Sequence, residues 1–415
     1  MRFIIVPIVC VSLVLSGCSA PTNNVSAIGI PSPTPFQPGQ ENASDFLYVD
    51  TAPTPLSLPT ASLPTLAPVE SALPAPVVDT PSIVLPTAIN PLTGLPVPNP
   101  SLLERRPMAI KVANFPRYMR PQSGLTLADQ VFEYYIEGGL TRFIAVFYGN
   151  DSEWVGPVRS GRFFDEHIAR MYQAYLVFKF ADPRVLEYFR STDFAEFLVV
   201  PTIGSCPPYH LMLTRKIEVY NNNYFNTVGW ADCVVKNNLR NDRPNINTGF
   251  FSDVIPLVSD LAGEKVYTYY SDYSYNYWAY VPETGEYARY QETSDTHDGK
   301  PEVYAPLMDN VTSTAVHASN VVVLFAYHSF ANPFDENDEV YHIDLTGSGE
   351  AYVFRDGIGI PAKWNRVVKD QPLLLTTQSG APIYLRPGIT FYEVIGSNSY
   401  ASQGDGEWFF HHETP

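Results

Sequence analysis

Proline is concentrated in one stretch of this chain, and that stretch limits where a folded domain can lie. Of the 38 prolines among 415 residues, 18 fall between Pro21 and Pro100. Proline fixes its own φ angle, lacks an N–H donor and pushes the preceding residue towards extended geometry. Repeats of the type Leu-Pro-Thr fill the stretch. We therefore predict a disordered, semi-rigid tether over residues 18–88, with a reach on the order of 200 Å at full extension.

The residues before the tether have the pattern of an export signal. Arg2 precedes an apolar run over residues 3–15, which is too short to span a bilayer but suits the core of a signal peptide. The run leads into Ser16-Gly17-Cys18, which resembles the lipobox of bacterial lipoproteins. The resemblance implies that residues 1–17 are removed and that Cys18 is lipidated; an ordinary secretory signal with an incidental cysteine is the alternative. We expect a lipid-anchored protein on the extracytoplasmic face of a bacterial membrane.

Charge is unevenly distributed along the chain. The formal net charge is −17, divided into −4 over residues 1–100, +2 over 101–190 and −15 over 191–415. A general nucleic-acid-binding protein needs a basic footprint, so this balance excludes nucleic acid as the expected partner. The stretch 101–190 is therefore the one in which cationic residues need an explanation.

Patterning after the tether predicts an α+β protein with two domains. A layered α/β N-terminal domain is expected over 89–250, with helical spacing from Phe163 to Gln173 and a helix over Arg184–Arg190 opened by Asp182 and Pro183. Short runs of strand-forming residues separated by turns follow, which favours a β-rich C-terminal domain over 251–415. The strands predicted there are Lys265–Tyr270, Tyr275–Val281, Tyr287–Glu292, Asn320–Ala326, Val340–Leu345, Glu350–Phe354, Leu373–Thr376, Ile383–Leu385 and Thr390–Val394.

Several short motifs occur in the order found in a known family. They include Asn90-Pro91-Leu92-Thr93-Gly94, Arg106-Pro107-Met108-Ala109-Ile110-Lys111, Glu137-Gly138-Gly139-Leu140-Thr141-Arg142 and Gly156-Pro157-Val158-Arg159-Ser160-Gly161-Arg162. Over about residues 90–412 the chain resembles the YerB-like lipoproteins, a bacterial family of unknown function (DUF3048). The resemblance implies a lipid anchor, an α/β front half and a β-rich back half, and it implies no reaction. At Tyr209 and His210 the chain departs from the family's usual Pro-His-Asn-Leu, so no role is carried over to His210.

A charged hairpin lies in the positive stretch. Two β-rich runs flank Gly138 and Gly139, which predicts a two-residue turn. With that register, Glu133 and Glu137 share one sheet face and Arg142 lies diagonally between them. Their mutual neutralisation is the simplest interpretation.

Two further arginines follow, and they complete the candidate site. Arg159 and Arg162 precede a predicted helix, where the helix dipole disfavours cations. Either a salt-bridge network with Asp165 and the hairpin glutamates offsets them, or they hold an anionic ligand together with free N–H groups. The predicted ligand-binding set is Arg120, Glu133, Glu137, Arg142, Arg159, Ser160, Arg162 and Asp165.

Other features admit simpler interpretations. Cys206 and Cys233 form a disulfide or remain as two thiols, and no zinc spacing is present, so no metal is predicted. Residues 335–339 are acidic but lack a calcium-loop pattern, which favours a solvated turn. His411 and His412 are expected in a frayed tail, and residues 347–349 in a tight turn.

Tyrosine is dense in one part of the back half. Nine of the 27 tyrosines lie between Tyr267 and Tyr290. Tyrosine favours half-buried strands, which is the simpler explanation. A surface for sugar rings or peptide partners is the alternative.

No catalytic motif is recognisable, so the sequence favours a binding role over an enzyme. We expect a binding or scaffolding module for a cell-envelope component, such as a wall polymer or a partner protein, with no cofactor. The first alternative is an envelope glycan hydrolase or transferase with Glu133 or Glu137 as acid or base. A small-solute receptor with a cleft between the domains is the second.

Overall fold

The structure is a computed structural model of the chain. It describes residues 88–201, 206–246, 250–335 and 337–415. The predicted signal peptide and almost the whole of the predicted tether lie outside the described residues. Among the residues described, no helix is both long and apolar enough to cross a membrane.

Strands outnumber helices throughout the described residues. The helices are α1 (Asp165–Met171), α2 (Pro183–Ser191) and α3 (Thr227–Asn237). The strands before residue 250 are β1 (Met108–Ala113), β2 (Gln130–Tyr135), β3 (Thr141–Phe147), β4 (Tyr175–Val177), β5 (Leu198–Val199), β6 (Tyr209–Leu211) and β7 (Asn223–Phe225). Those after it are β8 (Lys265–Ser271), β9 (Ser274–Val281), β10 (Glu286–Glu292), β11 (Tyr304–Pro306), β12 (His317–Ala318), β13 (Asn320–Phe330), β14 (Tyr341–Asp344), β15 (Gly347–Arg355), β16 (Ile358–Arg366), β17 (Leu374–Thr377), β18 (Thr390–Gly396), β19 (Tyr400–Gly404) and β20 (Glu407–His411).

One large sheet contains strands from both halves of the chain. Its order is β17-β16-β15-β13-β18-β2-β3-β1-β4-β5, with β14 attached to β13. Strand β18 pairs with β2 in parallel, from Thr390 opposite Gln130 to Val394 opposite Tyr134. Strands β1, β2 and β3 are buried along their whole length, as expected for central strands covered on both faces.

A second sheet packs on the large one. Its order is β11-β10-β9-β8-β20-β19, with β12 attached to β10. Trp278 of β9 packs against Phe391 of β18 with ring centroids 4.7 Å apart. The predicted α+β class with few helices and a β-rich back half is confirmed. The domain boundary at residue 250 stays a prediction, and the two halves share the large sheet.

Helix α2 begins where the sequence predicts. Asp182 is its N-cap and its Oδ1 accepts a hydrogen bond from the Arg184 N–H at 2.9 Å, while Pro183 occupies the first helical position. A proline is tolerated there because that N–H has no partner within the helix.

The register predicted for the charged hairpin is wrong by one residue. Three residues, from Glu137 to Gly139, form the turn, and Tyr134 lies opposite Arg142. The Ile136 N–H donates to the Leu140 carbonyl at 2.8 Å, which closes the longer turn. Since successive side chains alternate between the two faces of a strand, a slip of one residue moves each predicted partner to the opposite face.

Three expectations for the back half are also corrected. Ile383–Leu385 is not a strand, because the Ile383 N–H donates to Leu375 and the Leu385 N–H to Phe250 instead of to one partner strand. Residues 347–349 begin β15, although Gly347 has a φ of +99°.

The histidine pair is not a frayed tail either. His411 ends β20, and His412 is buried, with its Nδ1 accepting a hydrogen bond from the Gly396 N–H at 3.0 Å.

Candidate functional site

The predicted site residues divide between two charged clusters. Glu133 and Arg120 lie where the second sheet packs on the large one. The side chains of Tyr134 and Arg142 project from the opposite face of the large sheet, because they pair directly across β2 and β3. Glu137, Arg159, Ser160, Arg162 and Asp165 belong with that second group. The structure therefore separates Glu133 from Arg142, which the hairpin prediction placed together.

The first cluster, here called the sheet–sheet network, consists of Glu133, Arg289 and Glu393. All three side chains are fully buried. Arg289 contacts Glu133 and donates from Nη1 to Glu393 Oε1 at 2.8 Å. Trp278 donates from Nε1 to the same Glu393 oxygen at 2.8 Å. The network therefore ties the two sheets together.

Hydrogen bonds hold the Glu133 carboxylate in this network, although burial disfavours its charged form. Thr141 donates to its Oε1 at 2.5 Å, and Asn114 donates at 2.9 Å. Burial nevertheless raises the pKa of Glu133 to about 7, against the opposing effect of Arg289.

Arg120 makes a second, separate connection between the two sheets. Its Nη2 lies 2.6 Å from Oε1 of Glu292, whose side chain is fully buried. Its Nε donates to the Asn114 carbonyl at 3.1 Å. Arg120 is thus a structural bridge, apart from the other predicted arginines.

The second group, here called the cationic cluster, consists of Lys111, Arg142, Arg159, Arg162 and Lys179 with the carboxylates Glu137 and Asp165. At its centre Lys111 Nζ lies 3.0 Å from Asp165 Oδ1, and both side chains are fully buried. The Tyr134 hydroxyl contacts both groups. Burial lowers the pKa of Lys111 to about 7; Asp165 opposes this, while Arg142 and Arg162 add to it.

Two arginines of the cluster share one carboxylate. Arg162 donates from Nε to Glu137 Oε2 at 2.8 Å, whereas Arg142 Nη2 lies 4.0 Å from Glu137 Oε1. Arg142 also donates to the Ser160 carbonyl at 3.0 Å. Burial and the neighbouring Arg162 lower the pKa of Arg142 to about 9. The positive charge here exceeds what Glu137 can neutralise.

Arg159 and Lys179 have no carboxylate partner among the described residues. The Arg159 guanidinium contacts the Asn221 side chain, and its Nε has no hydrogen-bond partner. Lys179 Nζ donates to the Tyr220 carbonyl at 3.1 Å. Burial lowers the pKa of each group, and Arg162 and Arg159 respectively lower it further. A neighbouring cation thus lowers the pKa of each group, which makes this region a candidate anion site.

Phe180 lies next to the cluster in a strained conformation. Its φ is +61° and 68% of its surface is exposed. A bulky side chain at positive φ is an outlier, and such residues concentrate at ligand clamps and active sites. The Lys179 Nζ lies 5.2 Å from the Phe180 ring centroid. An exposed, strained aromatic residue thus flanks an unpaired cation.

A cleft of about 600 Å³ lies beside the cluster, with Ser160 and Arg162 in its wall. Its opposite wall includes the acidic segment that was expected to be a solvated turn. Asp335 and Asn337 are exposed, as expected, whereas Asp338 pairs with Arg184 at 2.5 Å and Glu339 accepts a hydrogen bond from the Gly138 N–H. The acidic segment therefore packs against the hairpin turn and the start of α2.

Cysteine and metal chemistry lie outside these clusters. Cys206 and Cys233 are joined as a disulfide with Cα atoms 5.6 Å apart. Among the residues that the structure describes, no group of three or more His, Cys, Asp or Glu side chains could hold a metal ion.

Sequence reasoning missed Lys111, Lys179, Arg289 and Glu393. Lys111 is the only charged residue of β1, and Glu393 the only one of β18. A lone charge inside an apolar strand is a usable signal, because such a residue is almost never fully buried unless it is paired.

Comparisons with known proteins bear on the family and the fold of this chain. The profile of the N-terminal domain of "Protein of unknown function (DUF3048)" matches residues 92–229, and that of its C-terminal domain matches residues 266–392. YerB of Bacillus subtilis (strain 168), named as a candidate lipoprotein, is 27% identical over 333 residues, which cover 76% of this chain and 89% of YerB. The crystal structure of the YerB protein superposes with a TM-score of 0.61 at 23% identity, covering 74% of this chain and 96% of that one. The cationic cluster lies within the N-terminal match.

Proposed function

This chain belongs to the DUF3048 family, and from that premise we propose that it is a lipid-anchored module that binds an anionic component of the cell envelope through the cationic cluster. The name of the related YerB protein supports the lipid anchor, as does the motif at Cys18. Anchoring would hold the cluster near the polymers and proteins of the envelope.

One observation carries the binding role: Arg159 and Lys179 are half-buried or buried cations without a carboxylate partner in the described residues. The chain has 43 acidic residues, so carboxylates that could pair with these two cations are not scarce. Burying an uncompensated charge is costly. An anion entering the cluster would remove that cost.

The donor set narrows the ligand to carboxylate or phosphate groups. Guanidinium forks match both kinds of oxyanion, and an ammonium group adds a point charge. Several cations in one cluster suit a ligand with more than one negative charge. A polyanionic wall polymer meets that requirement.

The geometry gives less support to an envelope glycan hydrolase. Glu133 has no exposed surface and is bound to Arg289, so its carboxylate is out of reach of a substrate. Glu137 is engaged by Arg162. Neither carboxylate is free to transfer a proton.

Titration with an anionic polymer tests the binding role. We expect inorganic polyphosphate to bind the intact chain with an affinity that falls as salt rises. The double variant Arg159→Gln/Lys179→Gln should bind at least about tenfold more weakly, since each charge-assisted hydrogen bond contributes roughly 1.5–3 kcal/mol. Arg184→Gln/Lys265→Gln is the matched control, because it removes two cations that are paired at the surface. Equal affinities for the two double variants would refute the proposal.

Membrane fractionation tests the anchor. Replacing Cys18 by Ser removes the thiol that would carry the acyl chains, so the protein should move from the membrane to the soluble fraction. The Cys10→Ser variant is the control, since residue 10 would be removed with the signal peptide. Retention of Cys18→Ser on membranes would contradict lipidation at this residue.

A further inference from the structure

The second sheet buries one face and leaves the other open. Along β8, Val266, Thr268 and Tyr270 are buried, whereas Tyr267 and Tyr269 keep part of their surface exposed. The buried face is the one that packs on the large sheet. The outward face therefore carries much of the tyrosine-dense segment.

Four aromatic side chains form a first row across the outward face. Phe409 of β20, Tyr267 of β8, Tyr277 of β9 and Tyr290 of β10 are consecutive cross-strand partners. Their ring centroids follow at 4.7, 5.1 and 4.6 Å. The row crosses four adjacent strands without a gap.

A second row lies two residues away along β20, β8 and β9, and it extends onto β19. Tyr400, His411, Tyr269 and Tyr275 are again cross-strand partners, with ring centroids at 4.7, 5.6 and 5.8 Å. Tyr400 is 53% exposed. Both rows face the same way, because side chains two residues apart share a face.

Tyr304 of β11 joins the two rows. Its ring meets Tyr277 of the first row edge-to-face at 4.8 Å and Tyr275 of the second at 5.2 Å. Nine rings thus form one continuous group, here called the aromatic face, in which Tyr275 is buried and the other eight rings keep part of their surface exposed. With strands about 4.8 Å apart, it extends roughly 19 Å from β20 to β11.

Strand propensity does not account for the aromatic face. It explains single tyrosines on half-buried strands, but not a contiguous group of nine rings of which eight are partly exposed. Contiguous exposed apolar patches on soluble proteins commonly mark binding sites. The aromatic face therefore needs an occupant.

Charge identifies the chemistry of that occupant. The charges beside the first row, Lys265 and Glu407, neutralise each other at 2.7 Å. The hydroxyl groups of Tyr277 and Tyr290 have no hydrogen-bond partner among the described residues and can serve a ligand. A pocket of about 50 Å³ lined by Tyr269, Tyr304 and His411 also contains the Glu302 carboxylate, which accepts a hydrogen bond from the Tyr304 hydroxyl at 2.5 Å. The aromatic face offers apolar rings and hydroxyl groups without net positive charge, so a polyanion is a poor match.

We propose that the aromatic face binds the sugar rings of an uncharged glycan strand. A pyranose ring carries C–H groups on its faces and hydroxyl groups at its edge, which complements aromatic rings with hydroxyl tips. The length of the aromatic face suits several sugars of an extended strand. This site is separate from the cationic cluster and does not depend on it.

Calorimetric titration with neutral oligosaccharides tests the proposal. The probes are the β-1,4-linked tetramers of N-acetylglucosamine and of glucose, added to the full chain carrying Cys18→Ser so that it stays in solution. We expect this chain, with its aromatic face unchanged, to bind at least one of the two tetramers. The double variant Tyr277→Thr/Tyr290→Thr should bind it about tenfold or more weakly, as expected for central aromatic contacts.

Controls separate loss of the site from loss of the fold. Threonine keeps strand propensity, and polyphosphate binding by the double variant should be unchanged. Tyr277→Phe/Tyr290→Phe keeps both rings and should lose affinity only a few-fold. Tyr327→Thr removes a tyrosine that is 64% exposed on β13, and it should bind like the parent chain.

Three outcomes would overturn the proposal. The first is that neither tetramer binds the parent chain. The second is that Tyr277→Thr/Tyr290→Thr, shown to be folded by its unfolding temperature, binds as the parent does. The third is a dimer in sedimentation that the same substitutions dissociate, which would assign the aromatic face to a second copy of this chain.

Discussion

The sheet–sheet network and the cationic cluster both bury full charges, but they resolve the cost in different ways. In the network, Arg289 is placed between the carboxylates of Glu133 and Glu393, and hydrogen bonds from neighbouring strands serve the remaining oxygens. In the cluster, five cations are set against two carboxylates, and Arg159 and Lys179 have only neutral acceptors.

Burial of charge therefore does not by itself mark a binding site. A network whose charges are internally matched is destroyed by removing a member, because a buried charge is left unpaired. In the cluster, Arg159 and Lys179 contact only neutral acceptors, so loss of either cation leaves no carboxylate unpaired and reduces the repulsion between like charges. An excess of buried charge of one sign, rather than burial of charge as such, indicates a ligand site.

The largest effect is expected in the network. Arg289→Met leaves Glu133 and Glu393 buried and close together without a cation, and loss of a partner from a buried pair costs about 3–5 kcal/mol. Denaturant unfolding should show that loss in the free energy of unfolding. Arg184→Met, which removes an exposed ion pair, should leave the unfolding curve unchanged. A loss of under about 1 kcal/mol for Arg289→Met would show that the sheet–sheet network does not depend on its matched charges.

An intermediate effect is expected in the pH dependence of the cationic cluster. Burial lowers the pKa of Lys111 from 10.5 to about 7. Between these values Lys111 is protonated in the unfolded chain but not in the folded one, so this group alone makes stability rise with pH by up to about 1.4 kcal/mol per unit. Lys111→Met should flatten this alkaline rise, and the surface variant Lys265→Met should keep it. Identical pH profiles for the parent and Lys111→Met would show that the pKa of Lys111 is not lowered in the folded chain.

The smallest effect is expected at Lys179. Removing this ammonium group relieves repulsion with Arg159 and leaves the Tyr220 carbonyl without its donor. These changes oppose each other, so Lys179→Met should shift the free energy of unfolding by no more than about 1 kcal/mol. Thermal and denaturant unfolding measure it. A loss comparable to that of Arg289→Met would show that Lys179 is structural.

Local signals in the sequence predicted where helices and turns begin better than which residues pair across the sheet. Asp182 and Pro183 predicted the start of α2 because capping is decided within one turn. The glycines of the charged hairpin predicted a turn but not its length, since Gly138 and Gly139 both have positive φ in a turn that also includes Glu137. The one-residue difference in turn length decided on which face of the large sheet the Arg142 side chain lies.

The candidate site was predicted in part for the same reason. Arg142, Arg159 and Arg162 were singled out by charge along the chain, and the structure brings them together. Glu133 was grouped with them by the wrong register and belongs to the sheet–sheet network. Its true partners, Arg289 and Glu393, lie 156 and 260 residues further along the chain. No local pattern reports contacts at that separation.

The parallel pairing of β2 with β18 has a consequence for how the chain acquires its structure. A ribosome or a translocon delivers the N-terminal residues first, so Gln130–Tyr135 emerges long before Thr390–Gly396. Until then, one edge of a buried apolar strand has no hydrogen-bonding neighbour and can pair with another chain. Contacts of such long sequence separation also form slowly. A nascent front half is therefore a natural client for a chaperone, and it cannot complete its folding until nearly the whole chain has been delivered.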